Sequence, residues 1–526
     1  MSISAVQPAP AWSRAAVREV WAVAWPTVVT MTSYTLMQFV DKLMVAQVGP
    51  LEVAAQGNGG IWAFNAIAIA MGVLTVINTF VAQNLGAGTP ERGPKYAWAG
   101  LWLSLVVWIA FLVPWAVALP SLFSLMGHGE RLQRLESVYG RILLAGSVVL
   151  LSNKAMSHYF FGMHRPRVIA FAAISGNIVN FLGNYALVFG ERGLPQLDLP
   201  FVGTVSIPGV PGAPALGVAG SAISTVIGTG FELLIPLAVF LGRRMNALYG
   251  TRSAWRFDAG PIRDLVRLGW PAAVQWGGEI VCWSIFMSVL CGRFGNDHMT
   301  AGWATLSYMH LSFMPAVGFS VAVSALVGRY IGAGQPDTAA ARANLGLALA
   351  MAYMTVCAVV MIVFRRPLIG AFVSGHGADA AQAAAIVAIG SRLMICAALF
   401  QTADAVGVVS SGALRGAGDT VWPGVATFVL SWVFIVGGGW LLVTFAPQLE
   451  SLGPWIAAAV YIVILGAALW TRWRSGKWRA IKLVEWLRAP AAAPVVIGPP
   501  ATAGDEAVED LAADVASEVA TRWQAE

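Results

Sequence analysis

Two stretches decide the architecture: VAQNLGAGTP at residues 81–90 and VGRYIGAGQP at 327–336, which align at an offset of 246. Each closes an apolar run with a Gly-Ala-Gly turn and restarts the chain at a proline. Neither is a phosphate loop, because no Lys-Ser/Thr pair follows; both read as tight turns between helices. Outward from these turns the correspondence continues. AWP at 24–26 answers GWP at 269–271, and Val48-Gly49 answers Phe294-Gly295. FFGMHRP at 160–166 stands where ALRGAGD stands at 413–419. The chain is two copies of one unit.

Composition says what the unit is made of. Charged residues are 11% of the 526 positions and hydrophobic residues 58%, with a mean hydropathy of +0.70. A soluble chain carries roughly 25% charged residues. A chain this apolar needs lipid as solvent for much of its surface. The 22 tryptophans agree, since indole rings collect at membrane interfaces. The net charge of +6 carries no nucleic-acid reading, because no basic stripe with interleaved aromatics is present. Cys282, Cys291, Cys357 and Cys396 lie in or beside apolar runs without metal-ligand spacing and read as small buried hydrophobes. No cleavable signal peptide is visible.

Runs long enough to cross about 30 Å of hydrocarbon fall near 20–46, 52–82, 96–118, 137–161, 168–189 and 216–241. A second set falls near 265–291, 300–328, 342–364, 382–411, 421–445 and 452–472. With the amino terminus placed in the cytoplasm, inner segments hold 21 of the 32 Lys and Arg residues and outer loops hold seven. That bias predicts both termini inside. Six spans per unit is an even number, so both units enter from one face, as parallel repeats about an axis along the membrane normal. The expected organisation is an N-terminal cytoplasmic segment (1–18), a first lobe (19–242), an inter-lobe linker (243–264), a second lobe (265–475) and a cytoplasmic tail (476–526). From 489 the tail is Ala/Pro-rich, then acidic, and is expected to be largely disordered with at most one short helix at 505–522.

A charge inside the bilayer costs at least ~2.5 kcal/mol, so intramembrane acids are functional candidates. Asp41, Glu232, Glu279 and Asp404 stand inside spans. Glu279 lies 12 residues beyond Arg267, about 18 Å along the helix. Asp404 lies 11 residues before Arg415, about 16 Å from that same face. Two carboxylates from different helices therefore share a depth, which is costly unless a cation or proton joins them. In the first half, Asn177, Asn180 and Asn184 occupy i, i+3 and i+7, one helical face, at a depth near that of Asp41. This group reads as oxygen ligands for a hard cation, as a protonatable Asp with hydrogen-bonding neighbours, or as interhelical polar glue. Glu232 and Lys154 are secondary candidates, each open to pairing or to water. Pro26, Pro271 and Pro315 are positioned to bend their spans. No nucleophile elbow, zinc motif, Walker motif or Cys cluster is present, so no enzyme is expected.

At this point the chain resembles the multidrug and toxic compound extrusion (MATE) family, in its NorM-type branch, over roughly residues 15–475. The resemblance rests on the first-span WP and FVDKLMVAQVG, LGAG after the second span, and FFGMHRP leading into NxxNxxxNYALVFG. PALGVAGSAIST, Glu279 and FQTADAVGVVSSGALRGAGDT complete it. It implies an all-α membrane fold of about twelve helices in two pseudo-symmetric six-helix lobes around a cleft. It also implies antiport of organic cations, drugs or related metabolites against Na⁺ or H⁺, with no other cofactor. The second-lobe ion or proton site would be Glu279 and Asp404, the pair to which Na⁺ would bind, with Phe400 and Gln401 beside it. The first-lobe site would be Asp41 with Asn177, Asn180 and Asn184. Phe400 departs from the pattern, since some relatives carry a phenol there; the change removes an oxygen and leaves a ring face. A flippase or exporter of a lipid-linked or endogenous metabolite on the same plan is the rival reading. Expected surroundings are a bacterial inner membrane and small, cationic substrates, with the protein a monomer and no nucleic acid bound.

Overall fold

The computed structural model describes residues 12–126, 128–199, 203–374, 380–481 and 483. The first 11 residues and the tail from 484, with the expected helix at 505–522, lie outside the described residues. The apolar runs become long helices: α1 (Arg14–Ala46), α2 (Leu51–Gly86), α3 (Pro90–Leu125), α4 (Glu130–Gly162), α5 (Pro166–Arg192) and α6 (Val218–Leu241). The second set is α7 (Ala259–Phe294), α8 (Asn296–Gly332), α9 (Pro336–Val363), α10 (Ala380–Gly416), α11 (Val421–Phe445) and α12 (Leu452–Arg474). Eleven of them are long and apolar enough to span a membrane. The remaining one, α1, is 33 residues long and carries both Asp41 and Lys42. The protein is a multi-pass integral membrane protein of two six-helix lobes.

Pro90, Pro166 and Pro336 sit at the first turns of their helices, where a missing N–H costs nothing. The repeat extends to fine structure. π-helical turns begin at Tyr185 in α5 and at Ser431 in α11, again 246 apart. Such turns widen a helix locally and concentrate at functional regions. Between α5 and α6 the chain forms a feature absent from the sequence reading, an antiparallel hairpin of β1 (Leu194–Leu199) and β2 (Gly203–Ile207). A short helix, Arg243–Tyr249, opens the linker, and α7 already begins at Ala259, inside the stretch expected as linker. The face of the bundle that carries this segment is called the linker face below.

The first helix of each lobe straddles both lobes. Ala16, Val20, Val23 and Ala24 of α1 pack with Ala316, Phe319 and Val323 of α8 in one buried cluster. Glu19 anchors the same end by accepting from Arg342 Nε at 2.7 Å, both side chains being largely buried. Past Pro26, α1 turns to its own lobe, where Ser33 meets Asn177 and Asp41 meets Asn184. Correspondingly, Leu265 at the start of α7 joins the first-lobe core, while Cys282 and Phe286 join the second-lobe core. Pro271 stands between those two parts.

Glycine makes the lobes meet. A Cβ at Gly86 would lie 1.8 Å from the Arg329 carbonyl oxygen, and one at Gly332 would lie 2.0 Å from the Gln83 carbonyl oxygen. Positions 83 and 329 are themselves 246 apart, so the contact is reciprocal, as a two-fold relation requires. Polar side chains reinforce it by donating to main-chain carbonyls of the other lobe. Thr27 Oγ1 donates to Gly318 O (2.9 Å), Asn78 Nδ2 to Val321 O (3.2 Å), Thr79 Oγ1 to Arg415 O (2.9 Å) and Gln83 Nε2 to Gly416 O (3.0 Å). These bonds lie in the half of the bundle nearer the linker face. There, the lobes are joined through backbone contacts that larger side chains would block.

Candidate functional site

In the first lobe the Asp41 side chain, 5% exposed, is held between α5 and α6. Asn184 Nδ2 donates to Asp41 Oδ1, and Thr225 Oγ1 donates to Asp41 Oδ2 at 3.2 Å. Asn184 Nδ2 also reaches Asn180 Oδ1 at 3.2 Å, so both asparagines join one network with the carboxylate. Among the described residues no hydrogen-bond partner meets Asn184 Oδ1, which is buried. Buried amide groups of this kind normally find a bond. Asn177 is not part of it. Its amide donates to Ser33 O at 2.7 Å and to Ser33 Oγ, some two turns away along α1. Lys42 is exposed, and neighbours one residue apart on a helix do not face each other.

Glu232, half-buried on α6, packs beside Gly176 of α5; a Cβ at that glycine would lie 2.9 Å from Glu232 Cβ. It lies within the electrostatic reach of Lys154, whose Nζ stands 4.7 Å from the centre of the Tyr34 ring.

The second lobe brings Glu279 of α7 and Asp404 of α10 into one electrostatic environment. Both are half-buried, and beside Glu279 stands a group the sequence reading did not select, the α12 phenol of Tyr461. Tyr461 is 1% exposed and its hydroxyl donates to Glu279 Oε1 at 3.0 Å. The same phenol also feels the field of Asp404. No Lys, Arg or His lies within 4.0 Å of Glu279, Asp404 or Asp41 among the described residues. Two carboxylates and a phenol with no protein counter-charge are arranged to take up a proton or a small cation, since like charges in low dielectric do not both stay ionised alone.

Phe400 and Gln401 take other roles. Phe400 is 1% exposed and lies in the apolar cluster with Cys282, Phe286, Trp455 and Tyr461. Gln401 turns toward α8 and α9, donating to Ser312 Oγ at 2.9 Å and to Met361 Sδ at 3.4 Å.

Comparison with known proteins fits this geometry. The MatE family model matches residues 26–186 and 280–441, one segment in each lobe. Multidrug resistance protein NorM of Burkholderia vietnamiensis is 27% identical over 466 residues, covering 88% of this chain and 94% of that protein. Multidrug resistance protein PmpM of Pseudomonas aeruginosa is 28% identical over 423 residues, covering 80% of this chain and 82% of that one. Among solved structures, the eukaryotic MATE transporter AtDTX14 superposes with a TM-score of 0.75 at 14% identity, covering 88% of this chain and 96% of its own. A MOP superfamily transporter from Pyrococcus furiosus, described with a binding pocket of reverse polarity, gives 0.75 at 19% identity, covering 88% and 95%. With matched segments in both halves amounting to more than half of its length, the chain belongs to the MatE family, and it is a membrane transporter rather than an enzyme.

Proposed function

We propose that this protein is a secondary antiporter that exports organic cations, drugs among them, in exchange for H⁺ or Na⁺. The observation that carries this reading is the pair Glu279 and Asp404, two carboxylates of one lobe in one electrostatic environment, the first bound by the Tyr461 phenol, with no basic side chain within 4.0 Å among the described residues. A cation or proton relieves their mutual repulsion, and its release and rebinding bias the lobes between two arrangements. The relatives named multidrug resistance proteins support the substrate class. The test is accumulation of a fluorescent organic cation in cells with and without the protein. Lower accumulation when it is present is expected; equal accumulation contradicts the reading.

The Asp41 network acts as a second site that senses the same lobe movement, because α1 belongs to both lobes. Asp41→Asn keeps the shape and removes the charge. Its expected effect is a shift of roughly 5- to 150-fold in the apparent affinity for the coupling ion, the usual range of a linkage of 1–3 kcal/mol. An unchanged ion titration with normal turnover would reduce Asp41 to polar packing.

The linker face is cytoplasmic in this account, as the Lys and Arg distribution requires. Leu248, 56% exposed on the linker helix, is the probe position. In Leu248→Cys, a membrane-impermeant maleimide is expected to label only inside-out vesicles. Labelling of intact cells would reverse the orientation.

A further inference from the structure

Six of the chain's 32 Lys and Arg residues fall between 243 and 267: Arg243, Arg244, Arg252, Arg256, Arg263 and Arg267. All six are exposed on the linker face. The two acids of that stretch are engaged elsewhere. Asp258 caps α7 by accepting from Gly260 N at 2.9 Å, and Asp264 accepts from the Tyr96 hydroxyl at 3.3 Å. Among the described residues, no carboxylate lies within 4.0 Å of Arg243, Arg252, Arg256, Arg263 or Arg267. The backbone that presents them is fixed to α3. Trp98 Nε1 donates to Thr251 O at 2.8 Å, and Trp102 Nε1 donates to Trp255 O at 3.1 Å. Trp255 and Phe257, each more than half exposed, stand among the arginines.

The chain leaves the bundle beside this surface. After α12, Trp478 stacks on Trp473 with 4.4 Å between ring centroids, and Arg479 Nη2 meets Asp337 Oδ1 at 2.8 Å. Leu483 then packs against Gly418. Two residues on, Thr420 Oγ1 donates at 2.7 Å to the carbonyl of Leu268, the neighbour of Arg267. Farther along, outside the described residues, the sequence turns acidic: Asp505, Glu506, Glu509, Asp510, Asp514 and Glu518 stand against one base, Arg522. Val508, Leu511, Val515 and Val519 recur at i, i+3, i+7 and i+11, the spacing of one helical face. The 21 residues from 484 to 504 reach roughly 25 Å as a flexible coil. They tether the acidic segment to the linker at an effective concentration on the order of mM.

We propose that residues 505–522 dock on this linker surface, carboxylates on the arginines and the Val/Leu stripe on Trp255 and Phe257. Arginine forks match carboxylates in geometry as well as in charge. The same acids are repelled by an anionic leaflet, so the linker is the surface within their reach that attracts them. Docking has a mechanical consequence. The linker helix packs into the first-lobe core through Met245, whereas the exit after α12 packs through Trp473 and Trp478 with α8, α9 and α10 of the second lobe. The docked segment therefore straps one lobe to the other, with a hold that weakens as salt screens it. The inference goes beyond the antiporter reading and does not depend on it.

The test uses the full-length protein in detergent, with Ser253→Cys in the linker and Ala516→Cys in the acidic segment. A short bismaleimide bridges the pair, and mass spectrometry of the tryptic peptides identifies the link. Rapid linking within one chain is expected at low salt. Conversion of the six carboxylates to their amides is expected to slow it roughly tenfold, the loss of several exposed ion pairs. Arg243→Gln, Arg256→Gln and Arg263→Gln together are expected to do the same from the other side. So is salt near 1 M, where the Debye length is about 3 Å. The amide set lies outside the helical bundle, so its result does not turn on whether the bundle folds. A linking rate unmoved by both neutral sets and by salt overturns the proposal. Linking found only at the mass of two chains also overturns it, by giving the surface to a second copy. So does linking that is present in phosphatidylcholine nanodiscs and lost in phosphatidylglycerol ones, which gives the arginines to lipid headgroups.

Discussion

Glu279→Gln and Asp404→Asn are each expected to collapse concentrative efflux to simple equilibration, while the protein still inserts and folds. An amide retains the size of the carboxyl group and removes the charge that an ion or proton must neutralise. The magnitude follows from the driving force. In one-for-one exchange of monovalent cations no net charge crosses, so a tenfold ion gradient, about 1.4 kcal/mol, sustains roughly a tenfold substrate ratio. Each variant should bring that ratio to about one, the value for a carrier with no ion coupling. Folding is expected to survive because the bond that the Tyr461 hydroxyl donates to Glu279 is one that an amide oxygen accepts equally. Steady-state ratios of substrate across proteoliposome membranes check this result. Wild-type ratios in both variants would make the pair structural.

The second large effect concerns the contact between the repeats. Gly86→Val places a Cβ 1.8 Å from the Arg329 carbonyl oxygen, and Gly332→Val places one 2.0 Å from the Gln83 carbonyl oxygen. Neither obstacle is a side chain able to rotate away. Both are helix backbone, so α2 and α8 must move apart and loosen the hydrogen bonds of Thr79 and Gln83 to α10. Overpacking costs typically 1–3 kcal/mol and more where backbone must shift, so about 3 kcal/mol or more is expected from either variant. Gly57→Ala is the control, since a Cβ there meets nothing within 4 Å. That variant is expected to be neutral or slightly stabilising, by up to ~1 kcal/mol, as a helical Gly-to-Ala change is. Thermal unfolding in detergent separates the cases. Equal midpoints for Gly86→Val and Gly57→Ala would contradict the close inter-lobe packing.

Much of this was legible in the sequence because lipid makes the code strict. An apolar run of span length has few alternatives, and the 246-residue offset turned one six-helix unit into two. The acids were legible for the same reason, as charges with no ordinary place in hydrocarbon. Their partners were not. Tyr461, Thr225 and Ser33 are polar side chains that an apolar helix tolerates at little cost, so nothing marks the ones that reach a carboxylate or an amide. Asn177 shows the limit of face-counting. Helices α1 and α5 run parallel, Ser33 opposite Asn177 and Asp41 opposite Asn184, so residues on one face meet neighbours at different heights. Gln401 fails similarly. It is three residues from Asp404 yet is claimed by Ser312 of α8 and Met361 of α9. Arg415 was counted among cytoplasmic charges, and the structure adds that its carbonyl accepts from Thr79 of α2, holding the end of α10 against the first lobe.

The most direct test of the account is uptake of a labelled organic cation into proteoliposomes loaded with high H⁺ or, separately, with high Na⁺ against a low-ion exterior. The account predicts accumulation above equilibrium under at least one of these gradients, abolished when the gradient is collapsed and absent in Glu279→Gln. Uptake that never exceeds equilibrium under either gradient, or that is equally concentrative in Glu279→Gln, would contradict ion-coupled antiport at this site.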